Sequence, residues 1–249
     1  GNVGALNKGK QIHNEVVHTD FLERNVMLGT ALVDMYARCG LLGKAHQVLR
    51  ELPNRNIMCW NALIMQYTRH EESHEALNCF DQLQREGISP DEITFVCILK
   101  ACGTTNAIDK GKNIHEEIIK GNLLKKNIVL GNALVDMYAK CGFLAKAQQV
   151  LEELPARDIV SWNALISGYA QHGSGEEAFQ CFDKMQYEGL CPNDVTFSCV
   201  LQACSATGSL DLCKDLHYII VCAGSDQIPF LETTLIHAYG SSGSITDAR

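Results

Sequence analysis

A fixed internal period constrains this 249-residue chain more than any other feature of its sequence. GTALVDMYARCGLL (29–42) returns as GNALVDMYAKCGFL (131–144) with eleven of fourteen residues identical. WNALI occurs at 60–64 and 162–166, GKQIH (9–13) returns as GKNIH (111–115), and ILKACG (98–103) as VLQACS (200–205), always 102 residues apart. Such a period defines a tandem array, in which each repeat is one supersecondary element that buries its apolar face against its neighbours. The 102-residue block itself contains three variants of one element, GTALVDMYA, CWNALIMQY and TFVCILKAC, beginning near 26, 57 and 92, so the repeats are 31, 35 and 36 residues long.

Within a repeat the apolar spacing is helical. Ala45, Val48, Leu49 and Leu52 fall at i, i+3, i+4 and i+7, as do Ala147, Val150, Leu151 and Leu154. A break at Cys39-Gly40, Cys141-Gly142 or His172-Gly173 separates this helix from an earlier one carrying, in the first case, Leu32, Met35 and Tyr36. The five prolines (Pro53, Pro90, Pro155, Pro192 and Pro229) fall at or near repeat ends, where a residue without an N–H stops the second helix. No segment alternates with period two. The sequence therefore predicts an all-α chain, an α-solenoid superhelix of stacked antiparallel helix pairs. Its repeats are a partial long one (1–25), short (26–56), standard (57–91), long (92–127), short (128–158), standard (159–193), long (194–229) and a partial short one (230–249).

The uneven lengths and the WNALISGY motif do not fit tetratricopeptide repeats. The chain resembles instead the pentatricopeptide-repeat family, in the form that alternates short, standard and long repeats. IVSWNALISGYAQHGSGEEAFQCFDKMQYEGLCPN (159–193) is similar to that family's 35-residue motif, and the resemblance runs through the whole chain. It implies a single-stranded RNA partner bound along the first helices, about one nucleotide per repeat. It further implies a mitochondrial or chloroplast protein that selects cytidines for C-to-U editing, in company with other editing-complex proteins.

The resemblance assigns three residue sets. Base reading falls to the fifth and last residues of each repeat: Thr30 with Asn56, Asn61 with Asp91, Asn132 with Asp158, and Asn163 with Asn193. Amide, hydroxyl and carboxylate groups there can meet a Watson–Crick edge directly or through water. By the family's code these pairs resemble readers of A, U, U and C (or U). Val96 with Asn127, and Ser198 with Pro229, depart from the pattern and leave their bases open. Thr234 in the last repeat favours a purine, giving A-U-N-U-C-N-purine. Base sandwiching falls to the second residues: Met27, Met58, Ile93, Val129, Val160, Val195 and Leu231 are all apolar, and contact with a base face tolerates any base. Phosphate contact falls to position thirteen, held by Arg38, Arg69 and Lys140, with Gln171 breaking the set. Each set has a structural alternative in which Asn caps a helix, the apolar residues are core, and the cations complement a helix dipole.

Other chemistries fare worse. HEESH (70–74) matches a zinc-protease pattern, but it aligns with HGSGE (172–176), the break between two helices, so its histidines would not share one helix. The H-x-E half of a cytidine-deaminase site occurs at His13, His70 and His115, yet no two cysteines lie three apart to complete it. His13, His115 and His217 recur in register, which suggests packing. No catalytic residues, metal, cofactor or small-molecule substrate are expected, and the array is read as RNA recognition without an enzyme. The chain has no leader-like opening and no apolar run near 18 residues, so no membrane partner is expected; GNVGALNKGKQ and SSGSITDAR read as the ends of a piece of a longer protein. Of twelve cysteines, eight form pairs 102 apart (Cys39/Cys141, Cys79/Cys181, Cys97/Cys199, Cys102/Cys204), as packing residues would. The net charge of −8 suits a second reading, a scaffold whose concave groove takes a basic peptide. It does not exclude RNA, but it implies an array that leans on base contacts more than on phosphate charge.

Overall fold

The computed structural model describes residues 2–17, 25–125, 127–222, 224 and 229–243. Residues 18–24 of the first partial repeat and 244–249 of the last lie outside the described residues. The chain divides into an amino-terminal body, residues 1–114, and a carboxy-terminal body, residues 115–249. Fourteen helices and no strand occur among the described residues. In chain order they are α1 (Asn2–Val17), α2 (Val26–Arg38), α3 (Leu42–Glu51), α4 (Ile57–Arg69), α5 (Ser73–Arg85), α6 (Glu92–Thr105) and α7 (Ile108–Lys120). They continue as α8 (Ile128–Lys140), α9 (Leu144–Glu153), α10 (Ile159–Gln171), α11 (Gly175–Tyr187), α12 (Asp194–Thr207), α13 (Leu210–Cys222) and α14 (Pro229–Ser241).

In the amino-terminal body the first helices α2, α4 and α6 form a row, each packed on the next. The second helix α3 packs on α2 and α4, and α5 on α4 and α6. The carboxy-terminal body repeats the plan, with α8, α10, α12 and α14 in the row and α9, α11 and α13 behind it. This is the helix-pair stacking of an α-solenoid. It explains the two kinds of sequence pattern. A second helix has one covered face and keeps a narrow apolar stripe, as where α5 buries Ala76, Cys79, Phe80 and Leu83. A first helix is covered on several sides, so α4 buries residues nearly all round, from Cys59 to Thr68 apart from Met65.

Two recurring contacts tie neighbouring elements. Trp60 Nε1 donates to Glu86 at 3.3 Å while Arg55 pairs with the same carboxylate at 3.1 Å. Trp162, Glu188 and Arg157 repeat this at 3.0 and 2.7 Å. In the short and standard repeats the tyrosine near the first-helix end meets a side chain of the preceding second helix: Tyr36 with His13 (2.9 Å), Tyr67 with His46 (3.2 Å), Tyr138 with His115 (3.0 Å), Tyr169 with Gln148 (2.8 Å) and Tyr239 with His217 (2.9 Å). The histidines that recur 102 residues apart are thus joints between repeats. At one point the first helices approach so closely that no side chain fits: a Cβ on Gly168 would lie 2.5 Å from the Ala139 Cβ.

The last repeat departs from the expected boundary. Helix α14 starts at Pro229, one residue before the repeat expected at 230, and proline suits a first helical position because its missing N–H has no partner there anyway. The His217–Tyr239 joint spans 22 residues where His13–Tyr36 and His115–Tyr138 span 23. The preceding long repeat is one residue shorter than its counterpart, and everything after it shifts by one. Its last residue becomes Ile228, outside the described residues, in place of Pro229.

The joints carry a pH dependence. Burial pushes the His13, His46 and His115 imidazoles below their usual value, with Lys44, Arg50 and Lys146 respectively adding to the shift and Glu51, Glu75 and Glu153 opposing it. At His13 and His115 the Nε2 atom is buried without a partner, so a protonated ring would bury an unpaired donor, whereas at His46 a hydrogen bond with Gln82 opposes part of the shift. The unfolded chain therefore takes up these protons first. Stability is fully present above about pH 6.5 and is lost as pH falls through the lowered folded-state values. Thermal unfolding between pH 7.5 and 5.5 should show a falling midpoint; a flat midpoint over that range would refute this role.

Candidate RNA interface

The site is built by helix capping. The last residue of every described repeat precedes a first helix and serves as its N-cap: Asn25, Asn56, Asp91, Asn127, Asp158 and Asn193 all accept a hydrogen bond from a backbone N–H of the first turn. Asp91, Asp158 and Asn193 form full capping boxes with Thr94, Ser161 and Thr196. A cap fixes the side chain's direction, and here it turns it toward the fifth residue of its own repeat. Asn61 Nδ2 donates to both Asp91 carboxylate oxygens at 2.9 Å, and Asn132 Nδ2 to those of Asp158 at 3.1 and 3.3 Å. Asn163 Nδ2 reaches Asn193 Oδ1 at 3.4 Å. Residues about 30 apart in sequence are thereby adjacent. Thr30 differs: its hydroxyl bonds to the Val26 carbonyl (2.9 Å) and the Cys59 sulfur (3.0 Å).

The pairs are deep and their electrostatics are set by the caps. Asn61, Asn132 and Asn163 are only 7%, 9% and 9% exposed. Burial pushes the Asp91 carboxyl upward, but hydrogen bonds from Thr94, Asn61 and Ile93 outweigh it and hold the group below the usual carboxylate range, so it stays ionised. Around the pairs stand the second residues, which the structure exposes: Met27 by 81%, Met58 by 62%, and Ile93, Val129, Val160 and Val195 by 52–57%. Large apolar side chains in such exposure are not core. In the amino-terminal body they and the pairs line one cavity of about 480 Å³, walled by Met27, Thr30, Asn56, Met58, Asn61, Met65, Asp91 and Ile93 and bordered by Asp34 and Arg38. In the carboxy-terminal body Val129, Val160 and Val195 stand in the same register positions beside Asn132/Asp158 and Asn163/Asn193.

Leu231 does not belong to this set. It is fully buried, and the shifted register makes it a third residue equivalent to buried Leu130. The second position falls on Phe230 and the fifth on Thr233, not Thr234. Thr233 donates to the Pro229 carbonyl at 2.9 Å, the same contact that Thr30 makes with Val26. Val96 and Ser198 are half-buried on α6 and α12, and Asn127 caps α8.

Position thirteen is less open than its charges suggest. Arg38 pairs with Asp34 at 2.8 Å and Lys140 with Asp136 at 2.7 Å, each one helical turn back. Arg69 has Met65 at that place and no ion pair among the described residues, while Gln171 bonds to Ser167 at 3.1 Å. Sequence reasoning missed Asp34 and Asp136, although an Asp–Arg or Asp–Lys spacing of four on one helix face was the signal. His70 ends α4 and His74 lies inside α5, with Glu71 in a left-handed conformation between them, and no cluster of metal-ligating side chains occurs among the described residues. No disulfide joins any of the twelve cysteines, six of which are buried, and no described helix is long and apolar enough to cross a membrane.

The caps make a measurable demand on the fold. Asp158→Ala removes the α10 cap and leaves the buried Asn132 amide unpaired, at a cost of about 1–2 kcal/mol. Asp158→Asn, which caps as Asn193 does, should cost less than half as much in urea unfolding. Equal losses for the two variants would show that the cap is not what the carboxylate supplies.

Comparison with known proteins places this arrangement. The model of the PPR repeat family matches residues 55–104 and 157–206, and that of the PPR repeat matches 30–57 and 132–159. The chain is 37% identical over 244 residues to a chloroplast pentatricopeptide repeat-containing protein of Arabidopsis thaliana, covering 98% of this chain and 39% of that one. It is 40% identical over 216 residues to the chloroplast protein CRR2 of the same plant, covering 86% and 33%. A mitochondrial relative from A. thaliana is 37% identical over 248 residues, 98% and 39% of the two chains. The chain thus spans about two fifths or less of these relatives. Among solved structures the fold resembles maize PPR10, with a TM-score of 0.70 at 24% identity over 90% of this chain and 33% of that one. PPR10 in complex with an 18-nucleotide psaJ RNA element gives 0.71 at 20% identity, covering 89% and 34%. By its repeats, and by family models that together match more than half its length, the chain belongs to the pentatricopeptide-repeat family.

Proposed function

We propose that this chain binds single-stranded RNA in a sequence-specific manner, one nucleotide per repeat, with the first-helix rows as the binding face. The observation that carries the reading is the pairing of fifth and last residues in three repeats, each pair flanked by exposed aliphatic second residues. Polar atoms that can address a base edge sit between surfaces that can hold a base face. The preferred site is A-U-N-U-C-N-purine, with Thr233 in place of Thr234 for the seventh base. Maize PPR10, whose fold this chain shares, has been crystallised with an RNA element, and the A. thaliana relatives carry chloroplast or mitochondrial designations. We therefore read the chain as the recognition array of an organelle protein. The alternation of repeat lengths supports a role in specifying C-to-U editing sites.

Binding is tested by gel shift with an RNA containing A-U-N-U-C-N-purine against base-swapped versions. Equal binding to all, or to none, removes the code and favours the peptide-groove alternative. Within the code, Asn61→Thr with Asp91→Asn should move preference at the second base from U toward A. An unchanged preference sinks that register.

The ion pairs predict the ionic-strength response. With Arg38 and Lys140 held by carboxylates, the wild-type salt slope should be shallow. Asp34→Asn with Asp136→Asn frees two cations and should steepen the slope of log K against log salt by roughly 0.7 per cation for a single strand. A steep wild-type slope, or no change in the double variant, would show that these cations already meet phosphates.

A further inference from the structure

We infer that the third residue of the following first helix is a specificity-determining member of each base-reading site, and that Thr94 attenuates pyrimidine reading by Asn61. The inference rests on the RNA-binding reading above. It starts from a difference between otherwise equivalent pairs. Both polar atoms of the Asn61 side chain are engaged in the free protein: its Nδ2 donates to Asp91, and its Oδ1 accepts from the Thr94 hydroxyl at 2.7 Å. Asn132 and Asn163 have the same Nδ2 contacts, but their Oδ1 atoms are buried without a hydrogen-bond partner.

The difference lies in where the third residue's hydroxyl points. Ser161 donates to the Asp158 backbone carbonyl at 2.8 Å, and Thr196 to Asn193 Oδ1 at 3.0 Å, so neither reaches the fifth-position amide. At the first pair the third residue is Cys59, whose sulfur lies 3.0 Å from the Thr30 hydroxyl. In all four described pairs a third-position side chain contacts the fifth or the last residue. That side chain decides which polar atom is spent inside the protein.

A pyrimidine offers a donor, N3–H of uracil or the N4 amino group of cytosine, and the matching acceptor is the asparagine Oδ1. At Asn132 and Asn163 that acceptor is an orphan in the free protein, and a base donor removes the penalty of leaving it so. At Asn61 the base donor has to share or contest the oxygen with Thr94. The hydroxyl has a second acceptor at hand, Asp91 Oδ1 at 2.9 Å, so displacement needs only rotation of its proton, yet no orphan is relieved. Uracil should therefore be discriminated more strongly at the fourth base, facing Asn132, than at the second, facing Asn61.

The test measures dissociation constants for A-U-N-U-C-N-purine RNA and for U→A swaps at the second and fourth bases. The wild type should lose on the order of tenfold more affinity from the fourth-base swap than from the second, about 1.4 kcal/mol. Thr94→Val, which keeps the shape and removes the hydroxyl, should raise the second-base penalty toward the fourth. Thr94→Ser, which keeps the hydroxyl, should leave it low. Equal penalties in the wild type, or a Thr94→Val protein with an unchanged second-base penalty, would overturn the role of Thr94. Should Thr94→Val fail to fold, the wild-type comparison and Thr94→Ser decide the matter. Loss of discrimination at every base would instead refute the RNA code itself.

Discussion

The arrangement depends on one local interaction, the capping of the first helices α2, α4, α6, α8, α10 and α12 by the last residue of the preceding repeat. A helix start leaves backbone N–H groups without partners, and a short polar side chain one residue earlier satisfies one of them. That requirement alone accounts for Asn or Asp at 25, 56, 91, 127, 158 and 193. What it does not account for is a buried asparagine at the fifth position, facing the cap. Any residue able to pack would serve the core there, and an amide in that place costs desolvation that the cap only partly returns. The cap is structural and the amide beside it is not, and together they form a polar pocket pinned to the helix backbone. Rigidity comes with the first role, and on the proposed function base-edge chemistry with the second.

The charge distribution points the same way. The chain carries a net −8, and two of the three groove cations are neutralised by aspartates on their own helices. Pairs of this exposed kind contribute only tenths of a kcal/mol, so they hold the cations loosely. They nonetheless cancel the field that would draw in any polyanion. On the proposed function, affinity then comes from base faces against Met27, Met58, Ile93, Val129, Val160 and Val195, and from base edges at the polar pairs. On that reading the array trades general attraction for selectivity.

Much of this was legible from sequence because the period made each residue testable against its counterparts. The helix pairs, the fifth and last positions and the exposed second positions all follow from register. The failures have physical causes. Leu231 and Thr234 were misplaced because the last long repeat is one residue shorter than its predecessor, so a rigid 102-residue offset slipped. The LIHAYGSSG segment, aligned on Tyr239 with LVDMYARCG on Tyr36, held the signal. Thr94, Ser161 and Thr196 were invisible as site residues because a hydroxyl three positions after an Asp or Asn reads as half of a capping box, and it is one. Which neighbouring acceptor the hydroxyl chooses is a matter of a few tenths of an ångström that no spacing encodes.

Repeat length itself has a structural explanation. The first helices α2, α4, α8 and α10 all have 13 residues, while the second helices have 10 in the short repeats (α3, α9) and 13 in the standard ones (α5, α11). Length variation is thus absorbed behind the row, leaving the inner helices unchanged. The long repeats add one residue to the first helix, 14 in α6 and α12, and end it at a left-handed Asn106 or Gly208. That addition falls at the helix end, after the second and fifth positions have been set. Because the second and fifth positions are counted from the cap, and the cap is the last residue of the repeat before, changes in the second helix or at the far end of the first one do not disturb them. Alternating lengths can therefore vary the second-helix surface from repeat to repeat while the second and fifth positions keep their register.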